Sequence, residues 1–133
     1  MIVYLDSMIV IYAVEGPTTF LARAKSRLAS LVAAGDQAAI SDLTQLECRV
    51  KPIRLNDADV LADFDVFLNA PNLLRFTLPS NVFERATVIR AHYNFGLGDS
   101  LNLSAAIENG CGLFLTNDTR LSRCTEIPVE VLA

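Results

Sequence analysis

A chain of 133 residues fits one domain, 1–133, and is long enough to bury about two-thirds of the surface its unfolded form would expose. A composition of 52% hydrophobic and 20% charged side chains excludes a disordered chain, and no apolar run reaches the ~18 residues that span a bilayer. The net charge of −4 weighs against a simple nucleic-acid coat but not against a nucleic-acid substrate reached through a bound cation: with four of the 15 acids set in one metal pocket, 11 remain against 11 Lys and Arg.

The first segment, Met1 to Leu5, is apolar and rich in β-formers, which predicts a strand buried on both faces. It stops at Asp6, and a second apolar stretch, Met8 to Val14, follows at once. Gly16-Pro17-Thr18-Thr19 is a break carrying a capping residue. Phe20, Ala24, Leu28, Leu31 and Val32 then recur at helical spacing until Gly35-Asp36. Gln37 to Ile40 reads as a second strand, and Ser41-Asp42 as the cap of a helix holding Thr44, Leu46 and Glu47. Pro52 is expected to interrupt that helix, and Asn56 to open the next with Asp59 as its capping pair, burying Leu61, Phe64 and Leu68.

Leu73 to Leu78 is a third expected strand, and Val82, Phe83, Ala86, Ile89 and Tyr93 mark a helical stripe. Gly96-Leu97-Gly98 ends it, with Asp99 placed to cap a helix running to Glu108. Gly112 to Thr116 and Val129 to Leu132 complete the strands, with Asn117-Asp118 in the loop between them. Alternating strands and helices predict a parallel α/β sheet with right-handed crossovers. The first residues show no basic run or small-residue cleavage site, so no signal peptide and a cytoplasmic location are expected. Cys48, Cys111 and Cys124 form no C-x-x-C and have only His92 for company, so buried reduced thiols are expected and no Cys/His zinc site. His92 is read as a helix-surface or packing residue.

The acids near strand ends carry the chemistry. In a parallel sheet all strand carboxyl ends share one edge, and ligands bind there. Asp6 and Asp118 follow strands and Glu47 lies on the helix after strand two, so all three fall near that edge. Asp99 joins them only if its Gly96-Leu97-Gly98 loop lies at the same end. Clustered carboxylates repel by ~1 to ~4 kcal/mol per pair at about 4 Å, depending on the effective dielectric. A hard divalent ion removes that penalty, and such ions act on phosphate esters. The same acids have plain alternatives as an N-cap, a turn residue and a solvated helix acid. Thr116 and Asn117 are either supporting groups or turn formers.

Four stretches now resemble a known family. Tyr4-Leu-Asp-Ser-Met-Ile-Val-Ile-Tyr12 resembles the opening of PIN domains. Leu43-Thr-Gln-Leu-Glu-Cys-Arg-Val-Lys-Pro52, Leu97-Gly-Asp-Ser-Leu-Asn-Leu-Ser-Ala-Ala106 and Phe114-Leu-Thr-Asn-Asp-Thr-Arg-Leu121 resemble that family's later acidic motifs, in the same order and across essentially the whole chain. Within the family, a chain of this length resembles VapC-type toxins of toxin–antitoxin modules. The resemblance implies a five-stranded parallel sheet in order 3-2-1-4-5 with helices on both faces. It also implies a homodimeric Mg²⁺- or Mn²⁺-dependent ribonuclease restrained by a small antitoxin protein.

The family's four acids map onto Asp6, Glu47, Asp99 and Asp118. Met8 stands where many members have Asn, and Asn102 where many have His, but neither change removes a carboxylate. Asp6 and Asp99 are expected to ligate the main ion, and Glu47 and Asp118 to complete the site through waters or a second ion. Arg49, Lys51 and Arg54 are candidate contacts for RNA phosphates, or else a solvated helix end. The competing reading is an inert PIN-like module that binds RNA or protein without cutting. A receiver-type switch lacks its late Lys, since none follows Lys51, and a haloacid-dehalogenase-type Asp-x-Asp is broken by Met8.

Overall fold

The computed structural model describes residues 1–132. In chain order the elements are β1 Ile2–Leu5, α1 Ser7–Glu15, α2 Thr18–Ala33, β2 Gln37–Ser41, α3 Asp42–Arg54, α4 Ala58–Leu68, β3 Leu74–Phe76, α5 Ser80–Tyr93, α6 Leu97–Glu108, β4 Leu113–Thr116, a 3₁₀ turn Thr119–Arg123 and β5 Val129–Val131. The five strands form one sheet in order β3-β2-β1-β4-β5, with every neighbouring pair parallel. This is the topology that the resemblance implies.

Strand β1 is central, and its pleat divides the core in two. Val3 and Leu5 point to one face, where they join Ile40 and Leu115 under Ile9 of α1, Leu31 of α2 and Phe64 of α4. Tyr4 points to the other, where it joins Ala39 and Phe114 under Val82 and Ile89 of α5 and Leu103 and Ala106 of α6. A strand buried on both faces needs an unbroken apolar run, and Val3, Tyr4 and Leu5 are all fully buried. Tyr4 stacks on Phe114 with ring centroids 5.5 Å apart. The three cysteines are buried and unpaired, as expected, and burial pushes the Cys48 thiol up to about 12. Among the described residues no helix is long and apolar enough to cross a membrane.

Several local expectations need correction. Helix α3 runs through Pro52 and ends two residues later at Arg54. A proline this close to the end removes one hydrogen bond, and the helix tolerates that loss. Asp57, not Asn56, caps α4: its side chain accepts from the Val60 amide at 3.2 Å, while Asn56 takes a left-handed φ of 53° in the turn before it. Asp99 does not cap α6. Gly96 occupies that position, and Asp99 lies inside the first turn. Strand β3 covers only Leu74–Phe76 of the expected six residues. The stripe on α2 is narrower than its spacing implied, with Ala24 and Leu31 buried but Val32 exposed.

The crossover from β3 to β4 holds two helices, and their pairing places Asp99. Asn81 and Arg85, early in α5, bond Glu108 at the end of α6, so the two helices run antiparallel. The Gly112 amide then bonds the Ile2 carbonyl, which puts the exit of α6 at the amino edge of β1. The start of α6 therefore lies at the carboxyl edge. Asn94 closes α5 with φ 58° and ψ 35°, its amide bonded to the Arg90 carbonyl. Asn94→Ala is expected to lower stability by about 1 kcal/mol in urea denaturation, and Asn94→Gly to change it by only a few tenths.

Candidate active site

Asp6 terminates the central strand and caps the helix that follows. Its backbone N–H bonds the Leu115 carbonyl at 2.9 Å, extending the β1–β4 ladder by one residue. Its Oδ1 accepts from the Ser7 amide at 2.9 Å, and its Oδ2 from the Thr116 hydroxyl at 2.7 Å. Thr116 Oγ1 also accepts from the Asp118 amide at 3.1 Å, tying the end of β4 to the end of β1. Burial pushes the Asp6 carboxyl from its ordinary 3.8 up to about 6. The Thr116 bond pulls the other way, and the charges of Asp99 and Glu47 add to the rise.

Glu47 lies on α3 one turn beyond the buried Thr44, facing α1 and α6. Its Oε1 accepts from Ser7 Oγ at 2.7 Å and from Asn102 Nδ2 at 3.1 Å. Asn102 is buried, and its Oδ1 contacts the Tyr4 phenol at 2.6 Å. The phenol has one proton and an amide oxygen only accepts, so Tyr4 donates to Asn102. Ser41 Oγ, 2.8 Å from the phenol oxygen, then donates to Tyr4. This chain from Ser41 through Tyr4 and Asn102 fixes the amide with its NH₂ toward Glu47. Desolvation keeps the Tyr4 phenol protonated by pushing its pKa well above the ordinary 10. Gly98, in the first turn of α6, lets that helix approach: a Cβ there would stand 3.0 Å from Glu47 Oε2.

Asp118 caps the 3₁₀ turn, accepting from the Arg120 backbone amide at 3.0 Å. The Arg120 guanidinium grips the same carboxylate, with Nε 3.1 Å from both oxygens and Nη2 2.6 Å from Oδ2. Nη2 also lies 3.5 Å from Asp99 Oδ2. The Arg120 bond holds the Asp118 carboxyl below the usual range. Asp99 moves the opposite way: burial raises it, the Asp118 charge raises it further, and Arg120 offsets part of the rise.

The four acids therefore arrive from four separate segments, and the charges of Asp99 and Glu47 raise the Asp6 carboxyl while those of Asp118 and Glu47 raise that of Asp99. Asp6 and Asp118 follow β1 and β4, the strands that flank the switch point of the sheet. The donor chemistry, carboxylates with no His or Cys, suits a hard divalent ion. Among the described residues no three such side chains close on a common point as a ligand set. Ser7 and Asn102 hold Glu47, and Arg120 holds Asp118, in the positions described.

Thr116 supports Asp6 directly, whereas Asn117 reaches the Tyr12 hydroxyl at 3.0 Å and none of the acids. Arg49 pairs with Asp65 at 3.0 Å, and Lys51 lies 4.0 Å from Glu15. Arg54 lines an open groove on α3 with Arg49, Arg75 and Asp42. His92 is exposed on the last turn of α5. Ser7, Asn102, Tyr4 and Arg120 complete the site: Ser7 and Asn102 bond Glu47, Tyr4 bonds Asn102, and Arg120 bonds Asp118.

Fold and site together define a doubly wound α/β domain with four acids gathered at the carboxyl edge of its sheet. The chain belongs to the PIN-domain family, whose family model matches residues 3–127. A chain of the Rickettsia felis VapBC2 complex, solved bound to a DNA fragment from its promoter, is 21% identical and superposes with a TM-score of 0.81 over 100% of both chains. A chain of DNA-bound VapBC from Salmonella typhimurium gives 18% and 0.79, covering 100% of this chain and 99% of its own. Mycobacterium tuberculosis VapC20, a toxin that cleaves the sarcin-ricin loop, gives 9% and 0.68, covering 84% of this chain and 86% of its own. Among curated proteins no sequence match is found. At these identities the solved structures establish a shared fold.

Proposed function

We propose that this chain is a metal-dependent endoribonuclease and the toxin of a type II toxin–antitoxin module. What supports the reading is that Asp6, Glu47, Asp99 and Asp118 reach the carboxyl edge of the sheet from four segments, with Asp99 and Glu47 raising the Asp6 carboxyl and Asp118 and Glu47 raising that of Asp99. Asp6 and Asp99 would ligate Mg²⁺ or Mn²⁺ directly, and Glu47 and Asp118 would complete the site through bound water or a second ion. When bound, such an ion polarises a phosphoryl oxygen and generates hydroxide from water. Thr116 and the Ser7 amide orient Asp6, and the Ser41–Tyr4–Asn102 chain orients Glu47. Arg49, Lys51 and Arg54 extend along α3 beyond Glu47 and are proposed to meet RNA phosphates. A small antitoxin and a second copy of the chain are the proposed protein partners, in the cytoplasm. The VapBC assemblies among the structural neighbours support the antitoxin, and the exposed Leu46, Val50 and Ile53 of α3 offer apolar surface for a partner.

The purified chain is expected to cut a structured RNA with Mg²⁺ or Mn²⁺ present and to stop when EDTA is added. No cleavage, together with no calorimetric heat on Mn²⁺ titration, would favour the inert binding module. Gly98→Ala probes the packing around Glu47. Alanine suits a helix better than glycine by about 0.5–1 kcal/mol, so stability should hold or rise slightly. The added methyl displaces the Glu47 carboxylate, and cleavage is expected to fall about tenfold, as when a group that orients a ligand is lost. Thermal melting beside a cleavage assay separates the two effects.

A further inference from the structure

Among the described residues, Arg120 is the one basic side chain that touches two of the four acids. Its grip on Asp118 is multiple: a backbone bond, two Nε contacts and a short Nη2 contact, all on one carboxylate. The same Nη2 reaches Asp99 across the cluster. Yet the side chain is 64% exposed, so solvent and not packing surrounds the guanidinium. A planar guanidinium on two carboxylates occupies oxygens that a cation ligand set needs.

We propose that Arg120 is the internal countercharge of the acidic site, and that a divalent ion must displace its guanidinium to engage Asp99 and Asp118. This rests on the metal-site reading above and adds a regulation to it. The guanidinium stabilises the acids while no ion is present and weakens ion binding by competition. Occupancy then depends on the level of free divalent ion and on anything that draws Arg120 away, such as a phosphate. Release requires only side-chain rotation, because the guanidinium is exposed and the 3₁₀ turn stays anchored by Leu121, which is fully buried.

The test is Mn²⁺ affinity by isothermal titration calorimetry on the full chain, with Arg120→Gln, Arg120→Lys and Arg85→Gln beside the wild type. Arg120→Gln should bind Mn²⁺ about tenfold more tightly, equivalent to about 1.4 kcal/mol, because an adjacent unit charge no longer opposes the ion. Arg120→Lys keeps the charge but loses the fork, so its affinity should fall between the two. Arg85→Gln removes a charge at the opposite, amino edge of the sheet, where Arg85 bonds Glu108 at the end of α6, and should match the wild type. Binding by the wild type with no tightening in Arg120→Gln would overturn the competition and leave the metal site standing. Equal tightening in Arg85→Gln would overturn it too, as an effect of overall charge. Failure of every variant to bind Mn²⁺ would overturn the metal-site reading and this inference together.

Discussion

Asp6→Asn and Asp99→Asn are each expected to reduce metal-dependent RNA cleavage by about 10³-fold. Metal polarisation of a phosphoryl oxygen supplies several kcal/mol of transition-state stabilisation. Loss of about 4 kcal/mol of it corresponds to three powers of ten. Asparagine keeps the shape of each side chain, so the loss reports charge and not packing. Asp6 is the more demanding position. Its two oxygens already hold the Ser7 amide and the Thr116 hydroxyl, and only its remaining lone pairs are free for an ion. Glu47→Gln and Asp118→Asn are expected to fall only about 10- to 100-fold, as befits groups acting through water or a second ion. Single-turnover cleavage at fixed Mg²⁺ measures all four. Undiminished cleavage by both Asp6→Asn and Asp99→Asn would sink the mechanism, whatever the other two do.

The parts of this site that are legible in the sequence are those that sit beside strands. Asp6 is visible because a charge between two apolar runs is costly unless it is hydrated, paired or bound to an ion. Asp118 is visible because it follows the apolar run of β4. The alternation of strands and helices is enough to define a parallel α/β sheet, while its strand order comes from family resemblance, since periodicity does not encode order. Asp99 is harder to place. Its location depends on the antiparallel pairing of α5 with α6, which rests on contacts such as Arg85 with Glu108, 23 residues apart. Tyr4 reads as one more apolar strand residue, because its hydroxyl finds partners only 37 and 98 positions away, at Ser41 and Asn102. Asn102 looks like a departure from the family pattern, yet its amide supplies the donor that orients Glu47. Arg120 does carry a signal, since it lies two residues from Asp118 on a tight turn. Pro52, Asn56 and Asp99 carry strong local signals, yet each boundary moves by one to three positions for its own reason. Asp57 reaches the Val60 amide while Asn56 takes the left-handed turn before it, Pro52 sits close enough to the end of α3 to be tolerated, and Gly96 takes the extended backbone before α6 with no side-chain cap.

One of the acids proposed to ligate the ion, Asp6, is also expected to weaken the metal-free fold. The Asp6 carboxyl titrates at about 6 in the folded chain against an ordinary 3.8, chiefly because it is buried. The folded state therefore holds a proton that the unfolded state has released between pH 4 and pH 6. Stability from this group is fully present below about pH 4 and is lost as pH rises through about 6. At pH 7.5 the full penalty applies, up to about 3 kcal/mol at 1.36 kcal/mol per tenfold change in proton affinity. Asp6→Asn removes the charge but must readjust the Thr116 bond, so a net gain of about 2 kcal/mol is expected in EDTA at pH 7.5. For a chain of this size that raises Tm by about 5–10 °C. The gain should shrink as pH falls and vanish near pH 4, where wild-type Asp6 is itself protonated. With Mn²⁺ the order should reverse, because the ion stabilises the folded wild type by mass action and the variant has lost a ligand. Thermal melts of both proteins at pH 7.5, 6 and 4.5, with EDTA and then with Mn²⁺, measure every term. A metal-free Asp6→Asn protein less stable than wild type at pH 7.5 would show that the carboxylate is adequately solvated or paired where it stands. Activity and metal-free stability would then not be opposed at this residue.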